Sequence, residues 1–135
     1  MSLIDKSKAN KRLAYELYNN EEYDAAANRF YYSCYQMLYQ LAVDKMQYVE
    51  DKNKSTHKSL IEHVDQTINL LMLDQKKSLK LMRTRNITGV YNRLKTYRVN
   101  ADYKEVNISE TDMEDIKNKI RDFEKKSFSI IKNTI

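Results

Sequence analysis

One stretch in the second half of the chain, KTYRVNADYKE at positions 95–105, gathers polar side chains that could bind a phosphate group where a helix gives way to a loop. Arg98 can neutralise phosphate charge through its planar guanidinium, and Tyr103 can stack on a base. Asn100 and Asp102 add hydrogen-bonding groups between them. A simpler interpretation is a helix end, where Arg98 complements the helix dipole and pairs with Asp102.

Arg98 also closes a strongly basic segment, residues 75–98, which contains no acidic residue. Its cations are Lys76, Lys77, Lys80, Arg83, Arg85, Arg93, Lys95 and Arg98. The segment therefore carries more positive charge than the whole chain, whose net charge is +5. The rest of the chain must then have a net negative charge. A solvated helix face explains such a segment, and so does a surface for the phosphates of RNA or of a nucleotide. In the second interpretation the binding residues are Arg83, Arg85, Asn86, Arg93, Arg98, Asn100 and Tyr103.

Other kinds of site are poorly supported by the residue types and their spacing. His57 and His63 are six residues apart and so lie on different faces of a helix, which argues against a metal site. The one glycine, Gly89, cannot make a glycine-rich phosphate loop. Cys34 lies in an apolar run, where we expect buried packing rather than nucleophilic chemistry. We therefore predict no metal and no cofactor.

The composition predicts an all-α protein. The chain of 135 residues has no proline and one glycine, so helix breakers and Gly-Pro turns are almost absent. Its length fits a single domain over residues 1–135. Apolar periodicity predicts helices over Ile4–Tyr18, Tyr23–Tyr48 and Ser55 or Thr56 to Leu73, a basic helix capped by Asp74, and a last helix capped by Thr111 and Glu114. A connection is expected over Ala101–Ser109. The short connections predict an up-and-down antiparallel bundle of four to five helices.

The second helix is the most aromatic part of the chain, with AANRFYYSCYQMLYQLA at positions 26–42. It is apolar on nearly every side, which is typical of a helix in the middle of a bundle. We expect its tyrosine rings mainly to pack the core, with their hydroxyls reaching partners at the edge of the core. The alternative is that some of these rings line a pocket.

The N-terminal sequence and the cysteine usage bear on the compartment. The first twelve residues, MSLIDKSKANKR, contain no long apolar stretch, and no window approaches the roughly 18 apolar residues of a membrane span. A single cysteine cannot form an internal disulfide, which fits a reducing environment. We expect a cytoplasmic protein with no membrane partner.

Taken together, these stretches resemble the HEPN domain family, the higher eukaryotes and prokaryotes nucleotide-binding domains. The family signature of a helix hairpin is matched by EEYDAAANRFYYSCYQ, with Tyr23, Ala26, Arg29, Tyr31 and Tyr32. The start of the next helix is matched by His57, Leu60 and Ile61. A later R-x-x-A-D-Y sequence is matched by Arg98, Ala101, Asp102 and Tyr103. The resemblance covers most of the chain, and it depends on the order and spacing of motifs that are individually degenerate.

The resemblance implies a helical bundle that usually dimerises. Many members of the family are ribonucleases of toxin–antitoxin, phage-defence or RNA-processing systems, and others are non-catalytic companions of nucleotidyltransferases. The ribonuclease members carry an arginine followed after four to six residues by a histidine. Here the equivalent position after Arg98 is Tyr103, and after Arg85 it is Tyr91. A tyrosine, with a reference pKa of about 10, is a weak general base at neutral pH.

The leading prediction is therefore a homodimeric HEPN-like bundle that binds RNA or a nucleotide without a His-dependent active site. We expect it to serve as an accessory subunit, either of a nucleotidyltransferase partner or of a toxin–antitoxin or phage-defence system. One alternative is a metal-independent endoribonuclease toxin that uses Arg98, Asp102 and Tyr103, or Arg85, Asn86 and Tyr91. The other alternative is a non-catalytic dimeric interaction module.

Overall fold

Five α-helices make up the computed structural model, which describes residues 2–74, 82–104 and 107–133 without the side chains of Arg83 and Asn133. The helices are α1 (Leu3–Asn19), α2 (Tyr23–Lys45), α3 (Thr56–Leu71), α4 (Ile87–Tyr103) and α5 (Glu110–Asn133), with a short 3-10 turn at Met82–Thr84 before α4. The described residues contain no strand. The prediction of an all-α helical bundle is confirmed.

The helices α1 and α2 form an antiparallel hairpin. Ser7 and Ser33 lock the two helices together, because each hydroxyl donates to the other residue's backbone carbonyl at 2.6 and 2.8 Å. Two small side chains at this point let the two backbones approach closely. In the turn that joins the helices, Glu21 takes a positive φ of 61°. The hairpin therefore reverses within the short connection that the sequence predicts.

Helix α2 lies at the centre of the bundle and packs against all four other helices. Its Phe30, Tyr31 and Leu38 are fully buried, as the all-round apolar pattern predicts. The pattern is less accurate on one side, where Tyr32 and Tyr39 are partly buried and Val43 is 43% exposed. Helix α2 runs antiparallel to α4, since Asn28 reaches Asp102 while Tyr31 reaches Tyr91.

Two predicted helix ends lie beyond the observed ones, and the smaller difference is at α3, which ends at Leu71 rather than Leu73. Helix α2 ends at Lys45 rather than Tyr48, because Gln47 takes a positive φ of 54° and the amide of Tyr48 turns back to the carbonyl of Ala42. The Tyr48 hydroxyl then donates to Ser59 at 2.9 Å. Helix α3 begins as predicted, with Ser55 accepting a hydrogen bond from the amide of Lys58.

The start of α4 differs most from the prediction. The predicted helix after Asp74 runs through residues 75–81, which lie outside the described residues, and α4 itself begins only at Ile87. Asn86 precedes it with a left-handed φ of 67°, a conformation that asparagine tolerates well. Gly89 therefore lies in the first turn of α4 and does not interrupt a longer helix.

The connection predicted at Ala101–Ser109 is shorter than expected, because α4 continues to Tyr103. Helix α5 is capped by Ser109 and Asp112 rather than by Thr111 and Glu114. The Ser109 hydroxyl accepts from the amide of Asp112, and the Asp112 carboxylate accepts from the amide of Ser109, both at 3.0 Å. This is a reciprocal capping box moved two residues towards the N-terminus.

In the part of the chain that the structure describes, no helix has both the length and the apolar character needed to cross a membrane.

Candidate functional site

Arg98 lies among tyrosine rings where α4 crosses α2. Its guanidinium carbon is 5.4 Å from the ring centroids of both Tyr32 and Tyr103, and 5.7 Å from that of Tyr31. One Nη atom donates to the Tyr32 hydroxyl at 3.0 Å. The Arg98 side chain is only 16% exposed. The guanidinium is thus held by cation–π contacts on several sides.

Asp102, one turn further along α4, completes the attachment of α4 to α2. Its Oδ2 lies 3.0 Å from Nε of Arg98 and accepts a hydrogen bond of 2.9 Å from the Asn28 amide. The Nε atom has no aligned hydrogen-bond acceptor, so this contact is an ion pair rather than a directed hydrogen bond. The pairing of Arg98 with Asp102 that the sequence suggests is therefore present.

Tyr103 is the last residue of α4, and its side chain is 69% exposed. Its ring lies beside the guanidinium of Arg98, so an exposed aromatic face adjoins a cation. We call Tyr31, Tyr32, Arg98, Asp102 and Tyr103 the arginine–tyrosine cluster. This cluster brings together the three predicted site residues Arg98, Asp102 and Tyr103 with two tyrosines of α2.

A second group adjoins this cluster and contains a histidine. The hydroxyls of Tyr31 and Tyr91 lie 2.8 Å apart, and Nδ1 of His57 lies 2.5 Å from the first and 2.7 Å from the second. We call Tyr31, His57 and Tyr91 the histidine–tyrosine triad. Tyr31 and Tyr91 are fully buried, whereas His57 is partly exposed in the first turn of α3.

The hydrogen-bond inventory of the triad favours a neutral imidazole. If Nδ1 is an acceptor, Tyr91 donates to Tyr31 and Tyr31 donates to His57, so that each hydroxyl proton has an acceptor. If Nδ1 carries a proton, one buried hydroxyl proton loses its acceptor within the triad. Burial, followed by the nearby charges of Lys95 and Arg98, lowers the pKa of His57 below its usual value. Burial likewise raises the pKa values of both tyrosines.

The other predicted binding residues do not join this cluster. Arg93 points towards α5, where its Nε lies 3.6 Å from Asp115 and its guanidinium carbon lies 5.2 Å from the ring of Tyr97. Arg85 and Asn86 are exposed at the opposite end of α4 from Tyr103. Arg98 lies twelve positions after Asn86, which is about 18 Å along the axis of a helix.

The remaining predicted residues are placed only in part. Asn100 is half-buried and borders a shallow surface depression with Lys95, Thr96 and Val99. The side chain of Arg83 lies outside the described residues, as do Lys76, Lys77 and Lys80 of the basic segment.

The burial of Tyr91 and of Cys34 bears on two of the predictions made from the sequence. Tyr91 is fully buried, so the alternative catalytic set of Arg85, Asn86 and Tyr91 does not form one accessible site. Cys34 is buried, as predicted, and burial raises the pKa of its thiol. In the described part of the chain, no cluster of side chains has the composition of a metal site.

His57 is the residue that sequence reasoning did not connect with Arg98. Along the chain it precedes the basic segment by many residues, and only the packing of α3 brings it near α4. The sequence did indicate that Tyr91 and Arg98 lie on the same side of α4, because they are seven residues apart and so share one face of a helix. The sequence gives no comparable signal for which helix supplies the third member.

Comparison of the chain with protein-family models, with curated proteins and with solved structures found no match in any of the three. The resemblance to the HEPN domain family therefore stays a prediction.

Proposed function

We propose that this protein binds RNA in single-stranded form, or a nucleotide, at the arginine–tyrosine cluster. The observation that carries the proposal is the exposed ring of Tyr103 beside the guanidinium of Arg98. Single-stranded RNA is generally bound by aromatic rings that stack on bases and by cations that neutralise phosphates. In this arrangement Tyr103 stacks on a base, while Arg98 positions the tyrosine ring and attracts the neighbouring phosphate.

The charges around the cluster support an anionic ligand. Lys95 lies one turn before Arg98 on α4, and the positive charges of both side chains lower the pKa of His57. His57 itself lies in the first turn of α3, where the helix dipole favours anions. Asp102 offsets part of this positive charge, so we expect modest affinity that relies on stacking as well as on electrostatics.

The test is fluorescence anisotropy of a labelled single-stranded RNA, measured over a series of salt concentrations. Replacing Tyr103 with alanine should weaken binding by about fivefold or more, because stacking is worth about 1–3 kcal/mol for each base. Arg98→Ala should weaken binding and reduce the slope of log K against log salt by about 0.7, the loss expected for one phosphate contact.

Two matched variants control for general surface effects. Phe128 is 65% exposed on α5, so Phe128→Ala removes an aromatic ring of similar exposure. Arg12 is exposed on α1, so Arg12→Ala removes one positive charge elsewhere. Equal losses for Tyr103→Ala and Phe128→Ala, or no measurable RNA binding by the wild type, would remove the proposed site.

A second candidate function is metal-independent RNA cleavage, and the position of His57 favours it. Nδ1 of His57 accepts a hydrogen bond from a buried tyrosine hydroxyl, so the neutral ring presents its Nε2–H to the surface. This N–H can donate to a phosphate oxygen, while the nearby Arg98 could stabilise phosphate charge. Labelled RNA should then be cut in the presence of a chelator, and both His57→Asn and Arg98→Ala should abolish the cut. Expression of the wild type should also arrest growth, and intact RNA with normal growth would argue against a toxin.

The homodimer and the nucleotidyltransferase partner are also proposals, because only the family resemblance suggests them. Sedimentation equilibrium tests the dimer, and a single species of about 16.1 kDa would contradict it. Copurification with the product of a neighbouring gene tests the partner.

A further inference from the structure

A separate cavity of about 270 Å³ lies between α1, α2 and α5, and none of the residues around it belongs to the arginine–tyrosine cluster. Four small side chains on these three helices face it, namely Ser7, Ser33, Cys34 and Ser127. Because small side chains meet at this point, the helices leave space that larger residues would fill. The walls are otherwise mostly apolar, with Met37, Ile120 and Phe123.

Ser127 is the polar group in this cavity that stands out. The residue is only 4% exposed, and its hydroxyl oxygen is buried without a hydrogen-bond partner in the protein. An unpaired buried hydroxyl costs about 1–3 kcal/mol, and native proteins rarely keep one without a use. By contrast, the neighbouring hydroxyls of Ser7 and Ser33 satisfy each other's backbone carbonyls. The Ser127 hydroxyl oxygen is covered in this structure, and rotation of the side chain to another staggered rotamer would bring it to a ligand in the cavity.

The edge of the cavity carries positive charge and exposed apolar surface. Lys8 and Lys11 border it from α1, and Lys11 forms an ion pair with Glu124 of α5, which leaves a net positive charge. Phe128 and Ile131 border it from α5 and are 65% and 40% exposed. An apolar interior with cations at its edge matches a molecule with an apolar chain and an anionic head.

We propose that this cavity binds a small anionic amphiphile, such as a medium-chain carboxylate. An apolar protein cavity of about 150 Å³ holds a benzene molecule, so this larger space fits a longer apolar chain. The carboxylate accepts a hydrogen bond from Ser127 and is attracted by Lys8. The apolar chain packs against Phe123 and Ile120. This site is independent of the RNA-binding proposal, because it shares no residue with the arginine–tyrosine cluster.

The experiment is isothermal titration calorimetry of the full chain with sodium decanoate below its critical micelle concentration. We expect saturable one-to-one binding and a negative heat-capacity change, which accompanies burial of apolar surface. Ser127→Leu fills the cavity and should weaken binding at least about tenfold. Ser127→Ala removes only the hydroxyl, so it should weaken decanoate binding without lowering the midpoint of thermal unfolding.

Charge is tested with a matched pair on α1. Lys8→Gln should weaken decanoate binding by up to about fivefold and leave decanol binding unchanged, because one exposed charge pair is worth up to about 1 kcal/mol. Lys6 is exposed on the same helix but does not border the cavity, so Lys6→Gln should change neither.

Three results would overturn the proposal. The first is the absence of saturable decanoate binding by the wild type. The second is unchanged affinity in folded Ser127→Leu; if that variant does not fold by circular dichroism, unchanged affinity in Ser127→Ala has the same meaning. The third is a wild-type dimer in sedimentation that dissociates in Ser127→Leu. That result would mean that a second copy of the chain, and not an amphiphile, covers the cavity.

Discussion

The histidine–tyrosine triad makes a prediction about energetic coupling between Tyr31 and Tyr91. Both hydroxyls lie within hydrogen-bond distance of Nδ1 of His57, so either one alone can serve as its donor. Tyr31→Phe leaves Tyr91 to donate to the imidazole, and Tyr91→Phe leaves Tyr31 to do so. Each single variant therefore loses one net hydrogen bond, which is worth about 1 kcal/mol of unfolding free energy.

The double variant removes the second hydrogen bond and also leaves Nδ1 of His57 without a tyrosine donor. Leaving a polar atom unpaired costs about 1–3 kcal/mol when it is buried, and we take the lower end because His57 is partly exposed. The double variant should then lose about 3 kcal/mol, about 1 kcal/mol more than the two single losses together. The sign of this coupling follows from the shared acceptor.

Urea unfolding followed by circular dichroism at about 222 nm measures all four proteins, with similar m-values required for the comparison. Tyr15→Phe is the control, because the Tyr15 ring packs edge-on against Phe30 at 5.0 Å and lies outside the triad. Its loss should stay within about 0.5 kcal/mol. Additivity of Tyr31→Phe and Tyr91→Phe within about 0.3 kcal/mol would refute the shared-acceptor geometry.

Two further predictions concern single positions. The pKa of His57 is lower in the folded protein, so the unfolded chain binds the proton more tightly. The free energy of unfolding should therefore fall as the pH drops below about 6.5. The slope should not exceed about 1.4 kcal/mol per pH unit, the limit for one titrating group. His57→Asn should flatten this part of the pH profile, whereas an equally flattened profile in His63→Gln would contradict the assignment. A Cβ at Gly89 would clash with Oδ1 of Asn86. The usual stabilisation of about 1 kcal/mol from glycine to alanine in a helix should therefore be reduced in the wild type. Thermal unfolding should show a larger gain from Gly89→Ala in the Asn86→Gly background, and equal gains in both backgrounds would argue against this contact.

Composition and apolar periodicity predicted the helical bundle and the central place of α2. These signals are local and strong, because a chain with almost no glycine or proline has few ways to leave a helix. The helix ends were less accurate, since they depend on single backbone conformations. Gln47 and Asn86 take positive φ, and neither position carries the glycine that usually reveals such a turn.

The sequence grouped the site residues that share one helix, but it did not predict the contact with a residue of another helix. Arg98, Asp102 and Tyr103 are neighbours on one helix, so their spacing was sufficient to group them. Arg93 shares that helix but faces α5, because its position in the helical turn differs from that of Arg98. The approach of His57 depends on the packing of α3 against the bundle, and no local pattern encodes that packing.

The central claim is that RNA contacts the protein at Tyr103. Photo-crosslinking of a single-stranded RNA that contains 4-thiouridine, followed by mass spectrometry of the digested complex, locates the contact directly. We predict that the main crosslink falls on the peptide that carries Tyr103, and that an excess of unlabelled RNA suppresses it. Crosslinks confined to α1 or α5, or a yield no higher than in the Tyr103→Ala variant, would contradict the claim.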